Sequence, residues 1–120
     1  METLPVSSRC VQTMEKICFV LNILPEHMDE YKNRHADVWP DMQEALSKSG
    51  WTNYSLFLRD DGLAIGYFEC ENYEEALSNM ENFEVNERWQ ATMLPLVAGV
   101  PSGKRADQTL ERVPLIFNLD

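Results

Sequence analysis

The sequence predicts an α+β fold, an antiparallel sheet with helices on one face. Three observations carry this expectation. Runs rich in β-branched and aromatic residues recur at 16–23, 51–58, 63–70 and 112–119. Between the middle two lies Arg59-Asp60-Asp61-Gly62, a hairpin turn in which Asp-Gly supplies the unusual backbone angles. The intervening segments carry apolar residues at steps of three and four, the period of a helix.

Residues 1–15 show no clear period and are expected to form a flexible extension ahead of a domain over 16–120. The first strand, 16–23, alternates Ile17, Phe19, Leu21 and Ile23, consistent with a sheet whose two faces both need cover. Pro25 suits the first turn of a helix, where its missing N–H has no partner to lose, and that helix runs to about Arg34. Pro40 disfavours helical geometry at Trp39, so a break falls near 36–40. Pro40 then opens a second helix, with Asp41 and Glu44 near its positive end and Gly50 as its stop.

Strands over 51–58 and 63–70 follow. Asn72 caps the next helix, with Glu75 as the reciprocal partner, and that helix reaches about Asn82. A further helix covers 85–98, bent near Pro95. Residues 99–111 are polar and read as an exposed loop, and 112–119 is the last strand. The order is a ferredoxin-like βαββαβ sandwich. Its helices leave one sheet face open, and the usual cover is a second copy, giving a homodimer.

A chain of 120 residues is one domain, and at 44% hydrophobic it can bury a core. No apolar run approaches the ~18 residues of a membrane span, and no basic-then-apolar segment opens the chain as a secretory signal would. The net charge of −10 argues against nucleic acid and anionic membranes as partners, since both need a basic patch. Cys10, Cys18 and Cys70 are odd in number and lack metal-ligand spacing. Cys18 and Cys70 sit in strands and read as small buried hydrophobes, which suits a cytoplasmic protein. There is no P-loop, dinucleotide turn or clustered metal motif, which agrees with an expectation of neither metal nor cofactor.

The stretch 28–46 places Met28, Tyr31, His35, Val38 or Trp39, Met42, and Ala45 or Leu46 on one face. Tyr31 and His35 therefore point at the core together. Two inward hydrogen-bonding groups need partners or a polar pocket, and histidine is the side chain best placed to move protons near neutral pH. The plainer reading is a satisfied core pair. His27, near a helix start among polar residues, reads as solvated.

Tyr31-Lys32-Asn33-Arg34-His35, Val38-Trp39-Pro40, the run Asn53 to Leu58, Glu87-Arg88-Trp89 and the ending Ile116 to Asp120 resemble the L-rhamnose mutarotase family. The likeness extends from about Lys16 to Asp120, nearly the whole chain. It implies a dimeric α/β barrel and an isomerase that interconverts the α and β anomers of a free monosaccharide by acid/base ring opening and closure. By resemblance, His35 is the catalytic proton donor to the ring oxygen. Tyr31 and Tyr54 bind sugar hydroxyls, and Trp89 offers an apolar face to the ring. Bacterial members tend to carry a second tryptophan where this chain has Gln90, which bears on the choice of sugar. As residues alone, Tyr54 and Trp89 also fit plain packing, Trp39 reads as core, and Gln90 fits either the pocket wall or solvent. Two other functions fit the same fold: a small-molecule monooxygenase, and a non-catalytic sugar-binding protein.

Overall fold

The chain was analysed as a computed structural model, which describes residues 14–119. The predicted extension over 1–15 lies almost wholly outside the described residues. Strand β1 (Glu15–Asn22) leads through a short 3-10 turn (Pro25–His27) into helix α1 (Met28–His35). Helix α2 (Pro40–Lys48), strand β2 (Thr52–Leu58) and strand β3 (Leu63–Cys70) follow. Helices α3 (Tyr73–Met80) and α4 (Glu84–Met93) precede the short strand β4 (Glu111–Val113). The strand order is β2-β3-β1-β4 with every pairing antiparallel, the ferredoxin-like arrangement.

Local chemistry accounts for most boundaries. Trp39 is extended (φ −54°, ψ 134°), as a residue before proline should be, so α1 and α2 are separate helices joined at a corner. Gly50 has φ +99° just beyond the end of α2. Gly62 takes φ +96° in the β2–β3 turn, where a Cβ would meet the Ile23 carbonyl oxygen at 2.6 Å. Asn72 Oδ1 accepts the Glu75 N–H at 2.9 Å and caps α3.

The inward face of the sheet presents Ile17 and Phe19 from β1 and Ala64, Phe68 and Cys70 from β3, all buried beneath the helices. Trp51 stacks on Phe68 with centroids 3.8 Å apart, and its indole N–H donates to the Ala76 carbonyl at 3.1 Å. Gly66 faces Phe19 across the β1–β3 ladder. A Cβ on Gly66 would lie 2.2 Å from the tip of the Phe19 ring. Gly66→Ala should therefore push that ring out of place and cost about 1–3 kcal/mol. Urea unfolding checks this, and an unchanged midpoint would mean the ring can retreat freely.

Three expectations need correction. The helix expected over 85–98 ends as an α-helix at Met93. Pro95 then falls in a 3-10 turn (Leu94–Leu96), because it cannot donate to the α-helical ladder. Residues 99–111 are not simply an exposed loop. They hold a 3-10 turn (Ala106–Gln108), and Ala106 is buried. The last strand spans Glu111–Val113 rather than 112–119, since Pro114 has no N–H to continue the pairing with β1. Beyond it Leu115, Ile116, Phe117 and Leu119 are 59%, 95%, 75% and 84% exposed.

The outward face of the sheet carries Cys18, Val20, Ile65, Tyr67 and Glu69, with Phe57 from β2 61% exposed. Tyr67 donates to Glu69 at 2.6 Å and Lys16 lies 3.7 Å from the same carboxylate. The helices lie on the opposite face, so among the described residues this face meets no second layer.

Candidate active site

Between the sheet and the helices lies a cavity of about 110 Å³. Tyr31 and His35 from α1, Tyr54 from β2 and Trp89 and Gln90 from α4 all line it, so the fold brings together the five residues singled out from the sequence. Tyr31, His35 and Tyr54 also line a wider groove that runs between β2 and the α1–α2 corner and opens the cavity to solvent.

Helical spacing sets the first pair. Tyr31 and His35 are one turn apart, and their rings meet with centroids 4.3 Å apart. The His35 Nδ1–H donates to the Tyr31 carbonyl at 2.8 Å. A carbonyl only accepts, so Nδ1 carries the proton and the neutral ring leaves its lone pair on Nε2. Nε2 makes no hydrogen bond within the described residues. Burial lowers the His35 pKa from its ordinary value, and the bond to the Tyr31 carbonyl opposes that shift only in part. The resting imidazole is thus neutral at neutral pH.

Trp89 closes one side. Its ring stands edge-on to His35 at 5.4 Å and to Trp39 at 5.0 Å. Arg88 lies over Trp39 and reaches Asp41 at 3.4 Å, so the indole pair is braced from the surface. Trp39 serves as packing behind Trp89, as expected of it. Burial raises the Tyr31 phenol well above its ordinary value, and burial first and Tyr31 second raise that of Tyr54. Tyr54 remains 38% exposed because its ring also lines the open groove, so the rise there is smaller than enclosure would give. Both phenols stay protonated near neutral pH and can donate hydrogen bonds.

Two further polar residues line the cavity that sequence reasoning did not single out. Asn86 is 1% exposed, and Asp107 reaches in from the 3-10 turn after α4. Asn86 had a legible signal: it shares the buried face of α4 with Val85, Trp89 and Met93, where a polar residue needs a reason. Asp107 had none, lying in a polar stretch with no period. His27 is half-exposed near Glu30, at 3.8 Å, outside the cavity. Among the described residues no group of three or more His, Cys, Asp or Glu is placed to hold a metal ion.

A family model described as L-rhamnose mutarotase matches residues 16–119. The chain belongs to the L-rhamnose mutarotase family. Named L-rhamnose mutarotases are similar along most of its length. That of Bacillus subtilis is 38% identical over 85 residues, covering 70% of this chain and 81% of its own. That of Oceanobacillus iheyensis is 36% identical over 85 residues, with the same coverage of 70% and 81%. That of Pectobacterium carotovorum is 32% identical over 108 residues, covering 89% of this chain and all of its own. The fold resembles the crystal structure of an L-rhamnose mutarotase from Formosa agariphila, with a TM-score of 0.72 at 19% identity, over 88% of this chain and 99% of that one. The ferredoxin-like order read from the sequence is thus the fold of an L-rhamnose mutarotase.

Proposed function

We propose that this chain is an L-rhamnose mutarotase in which His35 carries the proton. The observation behind the assignment is the neutral imidazole held at Nδ1 by the Tyr31 carbonyl, with Nε2 bare in a cavity of aromatic walls. Opening a pyranose moves one proton. The anomeric hydroxyl loses it, the bond from the anomeric carbon to the ring oxygen breaks, and the ring oxygen gains it. Both oxygens sit on the same carbon, so one basic nitrogen can serve both. Nε2 takes the hydroxyl proton as the carbonyl forms and returns it to the departing ring oxygen. The open aldehyde turns about its bond to the next carbon, and closure by the reverse route gives the other anomer.

This assigns His35 as the donor to the ring oxygen and also as the group that first collects the proton. Its lowered pKa serves both steps, since it keeps the base free and makes the transient imidazolium a stronger acid. Tyr31 and Tyr54 donate to sugar oxygens and fix the pose. Trp89 packs on the apolar C–H face of the ring, and Gln90 forms part of the cavity wall beside it. No cofactor enters these steps.

Saturation-transfer NMR on L-rhamnose measures the exchange directly. The protein should speed it well above the rate in buffer, with a rate that is level near neutral pH and falls on acidification through the His35 pKa, which burial holds below the ordinary imidazole value, as the imidazolium can no longer collect a proton. Exchange no faster than buffer would remove the enzymatic reading and leave a sugar-binding protein.

We further propose that the working unit is a homodimer, with the outward sheet face and the tail after Val113 covered by a second copy. The support is the exposure of Phe57, Ile116, Phe117 and Leu119 on one chain. The unpaired thiols of Cys18 and Cys70 fit a reducing compartment, the cytoplasm. No helix among the described residues is long and apolar enough to cross a membrane.

A further inference from the structure

Four side chains form an unbroken hydrogen-bonded chain from the surface to the cavity. Arg105 Nε donates to Asp107 Oδ1 at 3.0 Å, and its terminal nitrogen reaches Oδ2 at 3.4 Å. Asn86 Nδ2 donates to Asp107 Oδ2 at 3.2 Å and to the Met80 carbonyl at 3.4 Å. Asn86 Oδ1 accepts from Gln90 Nε2 at 3.2 Å.

The direction of this chain is fixed by its first link. A carboxylate and a backbone carbonyl can only accept, so the amide nitrogen of the buried Asn86 must face them. Turned over, Asn86 would set its oxygen against two acceptors at the same short distances. Its oxygen therefore faces Gln90, and Gln90 must answer with its own nitrogen. That leaves Gln90 Oε1 without a hydrogen bond in the described residues, on a side chain that lines the cavity. Arg105 and Asp107 are about three-quarters buried (25% and 21% exposed), which limits solvent competition for the pair.

We propose that Arg105, Asp107 and Asn86 are positioning residues that lock Gln90 as a hydrogen-bond acceptor, and that this acceptor makes Gln90 a specificity residue for a hydroxyl on the sugar's exocyclic carbon. The proposal rests on the mutarotase reading of the same cavity. With His35 serving the ring oxygen, the exocyclic carbon is attached one atom away from it. His35 stands edge-on to Trp89, and Gln90, the next residue of α4, lines the same cavity. L-rhamnose ends there in a methyl group, and L-mannose, otherwise identical, ends in a hydroxymethyl. A methyl leaves the fixed acceptor unpaired, and a hydroxyl donor satisfies it. The substrate class of this chain accordingly extends to 6-hydroxylated aldoses.

The test compares Gln90→Leu, Asp107→Asn and the double variant with wild type, measuring NMR exchange of L-mannose and L-rhamnose. Gln90→Leu should lower the L-mannose to L-rhamnose rate ratio roughly threefold to tenfold, the worth of one hydrogen bond. The loss should appear in KM more than in kcat, because the contact is remote from the proton transfers. Asp107→Asn should lower the ratio in the same direction, because Arg105 and Asn86 then compete for one carbonyl. The double variant should fall no further than Gln90→Leu alone. A merely structural Asp107 would slow both sugars together, leave the ratio unmoved and add to the effect at Gln90. Independently of activity, the side-chain amide signals of both Asn86 and Gln90 should shift on Asp107→Asn in a nitrogen-edited NMR spectrum. An unchanged ratio in Gln90→Leu, or Gln90 amide signals indifferent to Asp107→Asn, overturns the proposal. A wild-type protein that exchanges neither sugar faster than buffer would remove the mutarotase reading, and the amide signals would still decide whether the chain of hydrogen bonds acts on Gln90.

Discussion

His35→Ala should lower the protein's own contribution to L-rhamnose anomer exchange, the rate above buffer, by about 10²–10⁴-fold, the usual worth of a positioned acid/base group. The fold should survive. The Tyr31 carbonyl keeps its helical partner, since it lies one turn before the N–H of residue 35. The side chain is only half-buried, and Tyr31 and Trp89 remain packed in their own contacts. The same variant carries a stability signature with a definite sign. The folded-state pKa of His35 lies below the unfolded one, so folding favours the neutral ring. That contribution is fully present above pH about 6.5 and is lost as pH falls through the lower folded value. Wild type should therefore lose more stability than His35→Ala between pH 7 and pH 5. Urea midpoints at the two pH values measure this difference, and exchange rates measure the catalytic loss. Undiminished exchange in a folded His35→Ala protein would move the proton transfer to another group.

Much of this arrangement was legible in the chain. The corner between α1 and α2 follows from Pro40 acting on Trp39, and the β2–β3 turn follows from Asp61-Gly62, both local effects of backbone geometry. Tyr31 and His35 were placed together by helical spacing alone. Gln90 was open between pocket and solvent, because a neighbour of Trp89 lies about 100° around the helix. In the structure it lines the cavity through its bond to Asn86, a contact four residues back that the single-residue reading overlooked. Asp107 illustrates what sequence pattern does not hold. It enters the cavity because Arg105 pairs with it and Asn86 bonds to it from 21 positions away, and neither distance nor direction across such a gap follows from composition. The run 112–119 carries the β-branched and aromatic residues expected of a strand. The same residues stand exposed, and Pro114 decides that they do not extend the ladder on β1.

The 120-residue chain at micromolar concentration should scatter light with twice its 13.9 kDa mass. Leu115, Ile116, Phe117 and Leu119 are each more than half exposed. Burying one large apolar side chain contributes about 1.5–3 kcal/mol. Four of them reach the same order as the ~4–15 kcal/mol lost in bringing two chains together. The tail is thus decisive only alongside the outward sheet face, where Val20, Ile65, Tyr67 and Phe57 add apolar area. Weakening either should tip the balance. Ile116→Asp combined with Phe117→Asp removes two apolar anchors and introduces two charges that burial would penalise. These residues touch neither the cavity nor the helix core, so the single chain should still fold. The expected result is a scattering mass near 13.9 kDa for the double variant at concentrations where wild type is dimeric. A wild-type mass near one chain, or a double variant as dimeric as wild type, would show that these side chains are not what joins two copies.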